Sequence, residues 1–346
     1  MEGRKVLPRP GQSLLELVKQ LGLDGNTLTE RPLAAKIAGE VFTLNYIPVR
    51  QKEAEADRQS MRRAMAASNG EIRLLRYADP AGKECYIRTA QFVIFLAIRQ
   101  LWPEATAKMT CTLGSSVYIS VAGAKDFSAS TLKARVSELV GQDIPLIRRR
   151  VKLQKAIDRF REEGQTDKAR LLSWRTVDYF DEYAYGDFAD YYYGEMMPST
   201  GYLTVWDILP ADGGFVFVYP DDGNPEICAK VPPMPNFFSV FNEGERWGEL
   251  MECQTVADLN DLTNSGRIRE LIRVNEALHE KRFSQVADQV CQRGAKAVLL
   301  AGPSSSGKTT SANRLATQLR VHGKKPILMS LDDYYIDRDK IARPRR

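Results

Sequence analysis

The chain has 346 residues, of which 43% are hydrophobic and 27% are charged, and its formal net charge is +5. This length and balance predict two or three folded domains and exclude wholesale disorder. Because the sequence has no apolar run of membrane-spanning length, no signal-peptide pattern and only five scattered cysteines, we expect a cytoplasmic protein without membrane spans or a disulfide framework.

The first predicted domain is a small mixed unit with its connector, residues 1–60. Ser13 followed by Glu16 is a capping-box pattern, which predicts that a helix begins here. The apolar segments within 34–44, separated by a Gly-Glu pair, predict a β-hairpin. Residues 51–69 are polar and rich in alanine, as is typical of a connector.

The second predicted domain is an α+β unit at residues 61–235. The run 92–98 is apolar on nearly every side, which indicates a buried helix. Apolar residues at helical spacing within 132–140 predict an amphipathic helix, and 216–219 reads as a strand that returns after a Gly-Gly turn. The proline-rich segment 231–235 predicts the end of this domain.

Two features of the second domain bear on nucleic-acid binding. Residues 148–150 are three consecutive arginines, which we interpret as a solvated face, with contact to a polyanion as the alternative. Residues 191–193 are three consecutive tyrosines with several acidic residues nearby. Those acids would repel phosphate, so we expect a packed aromatic cluster in preference to a surface that stacks on bases.

The last part of the chain is predicted to be a helical connector, 236–292, followed by a nucleotide-binding unit, 293–346. The apolar run 297–301 is typical of a strand buried in a parallel sheet. The next residues, 302–309, read GPSSSGKT and match the phosphate-binding P-loop pattern completely. An amphipathic helix and a second apolar strand, 327–331, are predicted to follow.

Each position of this motif has a physical reason. The two glycines permit backbone angles that let successive amides turn towards an anion, and the helix that follows adds its positive N-terminal dipole. The ammonium group of Lys308 is placed for the β- and γ-phosphates, and the Thr309 hydroxyl for Mg²⁺. The expected cofactors are therefore ATP and Mg²⁺. The predicted phosphate-binding residues are Gly302, Ser304, Ser305, Ser306, Gly307, Lys308, Thr309 and Thr310.

Acidic side chains follow the second predicted strand. Asp332 and Asp333 would lie at the carboxyl edge of the sheet, where ligands bind in this fold class. Asp332 is the stronger candidate for a catalytic base or for a metal contact through water. The alternative is that either carboxylate only caps the next turn.

The segments GPSSSGKTT and SLDDYY resemble the opening of the uridine kinase and phosphoribulokinase group of P-loop kinases. The resemblance implies that Asp332 deprotonates a nucleoside hydroxyl while Lys308 neutralises charge, so that a nucleoside would be the second substrate. The chain stops after a β-α-β opening, and we therefore expect a kinase domain truncated at its C-terminus and inactive by itself.

The remainder resembles the N-terminal half of bacterial threonyl-tRNA synthetase. Residues 1–50 are similar to its ubiquitin-like TGS domain, a β-grasp fold. Residues 70–230 are similar to its second domain, through Ala-Ile-Arg-Gln-Leu-Trp-Pro at 97–103 and Pro-Ser-Thr-Gly at 198–201. Together the parts resemble bacterial TGS-containing nucleoside kinases. The expected fold is thus α+β N-terminal modules followed by the start of an α/β P-loop NTPase domain.

The sequence departs from the synthetase pattern at four positions. Where that family has a His-x-x-x-His pair, and later a Cys and a His, this chain has Arg88, Phe92, Tyr192 and Met196. None of these side chains offers an imidazole or a thiolate. We therefore expect that the editing of mischarged tRNA is absent.

The leading functional hypothesis is ATP-dependent phosphoryl transfer to a uridine-like nucleoside. Two alternatives remain open at this point: a non-catalytic module associated with RNA or the ribosome, and a regulatory GTP-binding protein. The sequence leaves the acceptor nucleoside, the choice between ATP and GTP, and the oligomeric state undecided.

Overall fold

The structure is a computed structural model that describes residues 6, 8–48, 71–232, 243–244 and 246–336. The chain divides into two compact units, Met1–Gly244 and Glu245–Arg346. The strands of the described residues lie in the first unit, where they form three small antiparallel sheets. The described architecture is therefore α+β.

The α-helices with described bounds are α1 (Leu14–Gln20), α2 (Pro80–Leu101), α3 (Ala129–Gly141), α4 (Leu153–Glu162), α5 (Thr166–Ser173), α6 (Val256–Asn264), α7 (Ile268–Gln292) and α8 (Lys308–Val321). The strands are β1 (Ala34–Ile37), β2 (Glu40–Thr43), β3 (Ile72–Leu75), β4 (Thr106–Thr112), β5 (Ser116–Ala122), β6 (Arg148–Lys152), β7 (Tyr179–Tyr185), β8 (Phe188–Asp190), β9 (Asp207–Ala211) and β10 (Gly214–Val218).

Helix α1 and the hairpin β1–β2 form as the sequence predicts. The Glu16 amide donates to the Ser13 hydroxyl at 3.2 Å, and the Ser13 amide donates to the Glu16 carboxylate at 2.9 Å, so the capping box is confirmed. The sheet has the order β2-β1-β3. Its third strand, β3, comes from beyond the predicted boundary at residue 60, and its Ile72 and Leu74 share a buried cluster with α1.

The second sheet has the order β4-β5-β10-β9 and carries α2 and α3. Helix α2 is buried on most sides, as predicted from its apolar run, and it contributes many of the side chains of the largest core. All five residues of β10 are buried, because Phe215 and Phe217 face that core while Val216 and Val218 face a second, smaller cluster.

The third sheet has the order β6-β7-β8, with β6 at its edge. One face of this sheet is covered by the helical hairpin α4–α5. The buried residues between them are Ala156, Ile157, Phe160, Ala169, Leu172 and Phe180. The edge strand β6 therefore lies beside solvent while its neighbour β7 is anchored in a core.

The second compact unit is helical in its described residues. Helix α6 begins with a capping box at Thr255, and the long helix α7 packs against α8. Polar contacts join these two helices, since Glu280 accepts from Gln318 at 3.1 Å and pairs with Arg314 at 2.8 Å. The domain boundaries at residues 60, 235 and 292 stay predictions.

Two predicted strands of the nucleotide-binding unit are not formed. Residues 297–301 and 327–331 have no strand pairing among the described residues, and Leu299 is 95% exposed. A strand is stable only when a neighbour satisfies its amides and carbonyls and covers its side chains. The two predicted strands are therefore wrong for the described residues, and the start of an α/β P-loop domain is not shown; the helix α8 follows the motif as expected.

Over the described part of the chain, no helix combines the length and the apolar character that a bilayer crossing requires.

Candidate functional site

The four positions where the sequence departs from the synthetase pattern come together in the structure. Arg88 and Phe92 are one helical turn apart on α2, and Tyr192 and Met196 lie on the segment that follows β8. The ring centroids of Phe92 and Tyr192 are 6.2 Å apart in an edge-on arrangement. Phe92 and Met196 are both fully buried in the same cluster.

The charged side chain among these four residues, Arg88, is already hydrogen-bonded and ion-paired. The Arg88 guanidinium donates to the Glu195 carbonyl at 2.9 Å and pairs with Glu84 at 2.6 Å. Gly194 packs against it so closely that an added Cβ would lie 2.6 Å from the guanidinium carbon. A side chain at position 194 would displace the end of Arg88, and the φ of +126° at this position favours glycine in any case.

Two side chains at this centre, Tyr192 and Cys85, carry hydroxyl and thiol groups that are held neutral. Burial holds the pKa of the Tyr192 hydroxyl well above its usual range. Cys85, one turn before Arg88, is also buried, and desolvation raises the pKa of its thiol to about 12. Both groups are thus neutral at physiological pH. Within the described residues, no cluster of His, Cys, Asp or Glu could hold a metal ion.

The Pro-Ser-Thr-Gly segment at 198–201 serves as a structural joint. The Thr200 hydroxyl donates to the Leu139 carbonyl at 2.6 Å and accepts from the Ile144 amide at 2.9 Å. The Ser199 hydroxyl donates to the Asp143 carboxylate. These bonds fix the segment at the C-terminal end of α3.

The three arginines at 148–150 lie on the edge strand β6, and each is paired with a carboxylate. Arg148 pairs with Asp181 at 2.6 Å, and Arg150 pairs with the same carboxylate at 2.8 Å. Hydrogen bonds from Arg150 and then from Arg148 lower the pKa of Asp181.

Arg149 points to the opposite face of the sheet. Its Nε donates at 2.7 Å to Glu182, whose side chain is fully buried. Sequence analysis missed these partners. The basic run at 148–152 and the acidic pair at 181–182 were the available signal, but pairing them required the strand register.

The tyrosines at 191–193 behave largely as predicted. Tyr191 packs edge-on against Phe180 with a centroid distance of 5.3 Å, and Tyr192 packs against Phe92. Tyr193 is 77% exposed. The packed aromatic cluster is thus confirmed for the first two rings only.

In the second unit, the P-loop motif leads directly into α8. Gly307 has φ +80°, a left-handed conformation that suits glycine, and the helix begins at Lys308. The Lys308 ammonium donates to the carbonyls of Gly302 at 2.9 Å and Pro303 at 2.7 Å. The lysine is therefore folded over the loop that precedes it.

The first turn of α8 offers backbone amide donors. The first-turn amides of α8 at Lys308, Thr309 and Thr310 have no acceptor within the helix, because the first four amides of any α-helix lack one. Their direction and the helix dipole favour an anion, and the adjacent ammonium supplies a full positive charge. Asp332 lies apart from this loop in sequence, on an exposed turn at Leu331–Tyr334.

The chain was compared with protein families and with curated proteins. No family model matches it. A threonine–tRNA ligase of Halorhodospira halophila is 25% identical over 209 residues, which cover 59% of this chain and 31% of the ligase. One of Clostridium kluyveri is 23% identical over 278 residues, which cover 79% of this chain and 39% of the ligase. One of Symbiobacterium thermophilum is 24% identical over 209 residues.

These relatives support a threonyl-tRNA synthetase-like region in this chain. A match over 79% of the chain must include its centre, where Arg88, Phe92, Tyr192 and Met196 lie. The chain spans only about a third of the length of the curated relatives it matches.

The comparisons contradict the leading functional hypothesis. The relatives are ligases named for threonine and tRNA, and none of those described above is a kinase. The prediction of a uridine kinase or phosphoribulokinase-like enzyme is therefore wrong, and so is the assignment of nucleoside phosphotransferase activity. The proposed role of Asp332 as a base depended on that kinase reaction and has no support without it. The phosphate-binding residues of the P-loop motif are not tested by these relatives and stay a prediction.

Proposed function

We propose that the first compact unit is a tRNA-associated module without editing activity. The observation that carries this proposal is the similarity to threonine–tRNA ligases over the centre of the chain. The packed group at that centre supports the second half of the proposal. Hydrolysis of an ester needs a general base, a nucleophile or a metal-bound water, and Arg88, Phe92 and Met196 can supply none of these.

The test is binding of a tRNA transcript to the full chain over a salt series. Contacts with several phosphates make log K fall linearly with log salt concentration, by about 0.7–0.9 for each phosphate neutralised. We expect such a slope, measured by filter binding between 50 and 300 mM KCl. A response that does not change with salt would contradict the proposal.

A companion assay addresses the absence of editing. The full chain is incubated with a tRNA that carries a mismatched amino acid, and the loss of the acyl group is followed. We expect the rate of buffer alone, because the Cys85 thiol and the Tyr192 hydroxyl are buried and neutral and Arg88 is paired with Glu84. Multiple-turnover hydrolysis would refute this half of the proposal and leave the binding half intact.

We also propose that the P-loop motif binds the phosphates of a nucleoside triphosphate with Mg²⁺. The folded-over Lys308 and the first-turn amides of α8 support the proposal. Gly302, Ser304, Ser305, Ser306, Gly307 and Thr310 would complete the loop around the anion. The Thr309 hydroxyl would contact the metal ion.

Calorimetric titration of the full chain with Mg·ATP, and in parallel with Mg·GTP, tests this site. We expect binding that is lost in Lys308→Ala and kept in Lys325→Ala, an exposed lysine whose removal changes the net charge equally. Equal nucleotide binding by both variants would exclude the motif as the binding site. The absence of any binding heat with the unmodified chain would also exclude it. The ratio of the two affinities decides between ATP and GTP.

A further inference from the structure

The strongest charge concentration of the first unit lies on β6 and the helical hairpin α4–α5. Between residues 148 and 175 the chain has ten Lys or Arg and four Asp or Glu, a net charge of +6, whereas the whole chain carries +5. This segment therefore carries a marked local excess of positive charge. A clustered field of this kind attracts polyanions far more strongly than the same charge spread over the surface.

The strand arranges part of this charge in a row. Arg148, Arg150 and Lys152 are alternate residues of β6 and point to one face of the sheet. Alternate residues of a strand are about 6.8 Å apart, so the backbone positions of these three residues extend over some 13 Å along the strand, and the guanidinium groups of Arg148 and Arg150 meet at the carboxylate of Asp181. An extended phosphodiester chain presents its charges as a similar linear series.

The arginines of this strand are held in place before any ligand binds. The Arg150 guanidinium lies 3.9 Å from the centre of the Tyr179 ring, and its Nε and Nη2 both donate to Asp181, at 2.8 and 3.0 Å. Arg149 uses Nε for Glu182, while its side chain remains 54% exposed. Among the described residues, the two Nη groups of Arg149 have no hydrogen-bond partner. Donors that are fixed in advance lose less conformational entropy on binding.

Positive charges without an acidic partner lie next to these arginines. The carboxylates of Asp181 and Glu182 offset much of the charge on residues 148–150. Lys152 and Lys155 are exposed, and neither has an acidic partner within the described part of the chain. These two lysines therefore provide the net positive potential at the junction of β6 and α4.

We infer that β6 and the first turn of α4 form the surface that contacts the phosphate backbone of tRNA. This inference rests on the proposed function of the first unit. RNA is favoured over a lipid surface because Tyr179, which lies opposite Lys152 in the strand register and against the Arg150 guanidinium, is 37% exposed and offers an aromatic ring beside the row. A purely protective role, in which charge blocks pairing at the sheet edge, is the competing explanation.

The experiment compares two double variants of the full chain with equal loss of charge. Lys152→Gln/Lys155→Gln removes the unpaired cations of the surface. Lys108→Gln/Lys125→Gln removes two exposed lysines outside β6 and the α4–α5 hairpin. Binding of a labelled tRNA transcript is measured by fluorescence anisotropy at several KCl concentrations. We expect the first variant to bind about tenfold more weakly at 100 mM salt, with a salt slope reduced by about 1.4–1.8. The second variant should match the unmodified chain within about twofold.

The outcomes separate this inference from the proposed function. If the unmodified chain fails to bind tRNA, both are overturned. If it binds and the two variants lose affinity equally, or neither does, the surface is wrongly assigned and the proposed function stands. If vesicles of phosphatidylserine and phosphatidylcholine bind as tightly as tRNA and lose the same factor in the first variant, the surface recognises anionic membranes and the RNA assignment is refuted.

Discussion

Thr200 illustrates how a single side chain can carry a motif's structural role. Its hydroxyl is fully buried and serves the Leu139 carbonyl and the Ile144 amide at once. The Leu139 carbonyl lies in the last turn of α3 and the Ile144 amide lies just beyond its end, both more than fifty residues earlier in the chain. The hydroxyl therefore replaces backbone bonds that this end of the helix would otherwise lack.

Replacement of Thr200 by valine should destabilise the protein strongly. The substitution keeps the shape of the side chain but leaves a buried carbonyl and a buried amide without a partner, which costs about 1–3 kcal/mol for each group. Urea unfolding at pH 7 measures the change. Thr106→Val, at an exposed position of β4, serves as the control and should cost less than about 0.5 kcal/mol. Equal midpoints for the two variants would contradict the role of Thr200.

For single residues, contacts between neighbours in the sequence could be predicted, whereas contacts between distant residues could not. The capping pair Ser13 and Glu16 is three residues apart, so the sequence alone indicates the bond. The sequence also places Arg88 and Phe92 one turn apart on a helix. It could not show that Arg88 meets the Glu195 carbonyl, because that contact depends on how a distant loop folds back.

At the scale of elements, the pair β6–β7 joins a basic strand to an acidic one. Arg148 lies opposite Tyr183, and Arg150 lies opposite Asp181 in the antiparallel register. Asp181 thereby bridges two arginines on the same face. A one-residue slip would move every side chain to the opposite face and separate these charges.

The stability given by Asp181 should depend on pH. Because its pKa is lowered in the folded state, its contribution is fully present above the unfolded value of about 3.9 and is lost as the pH falls through the lower folded value. Asp181→Asn should therefore be less stable than the unmodified chain at pH 7, and the difference should shrink as the pH falls below about 4. Urea unfolding at pH 7, 5 and 3 measures this trend.

Asp187→Asn is the matched control for that series, since Asp187 is exposed in the turn between β7 and β8. Its difference from the unmodified chain should stay small at each pH. If the difference in unfolding free energy between Asp181→Asn and the unmodified chain grew as the pH fell, the stabilising role of the ionised Asp181 carboxylate would be contradicted.

Helices were easier to predict than sheets, because a helix forms its hydrogen bonds within one segment whereas a strand depends on a distant partner. The periodic apolar patterns of α2 and α3 are complete within each segment, and both helices form as expected. The runs 297–301 and 327–331 also have the composition of buried strands. A strand, however, needs a partner, and the sequence of the strand itself does not supply one.

At the scale of the first compact unit, polar contacts tie the small N-terminal sheet region to distant parts of the chain. Asn45 donates to the carbonyls of Leu146 at 3.2 Å and Pro198 at 2.7 Å. Glu226 accepts from the Thr29 amide at 2.7 Å and from its hydroxyl at 2.6 Å. The region resembling a TGS domain is thus held to the synthetase-like region by specific hydrogen bonds.

Loss of the Glu226 carboxylate should loosen this connection. The hydroxyl and amide of Thr29 lower the pKa of Glu226, so the carboxylate form is the one that binds. Glu226→Gln turns one acceptor oxygen into a donor that faces other donors, and we expect faster amide exchange at Leu28 and Thr29. Hydrogen exchange followed by mass spectrometry at pH 7 detects this change. Glu104→Gln, an exposed change of equal charge, should leave those amides protected as in the unmodified chain. Unchanged protection in Glu226→Gln would mean that the Glu226 carboxylate does not hold residues 28–29 in place.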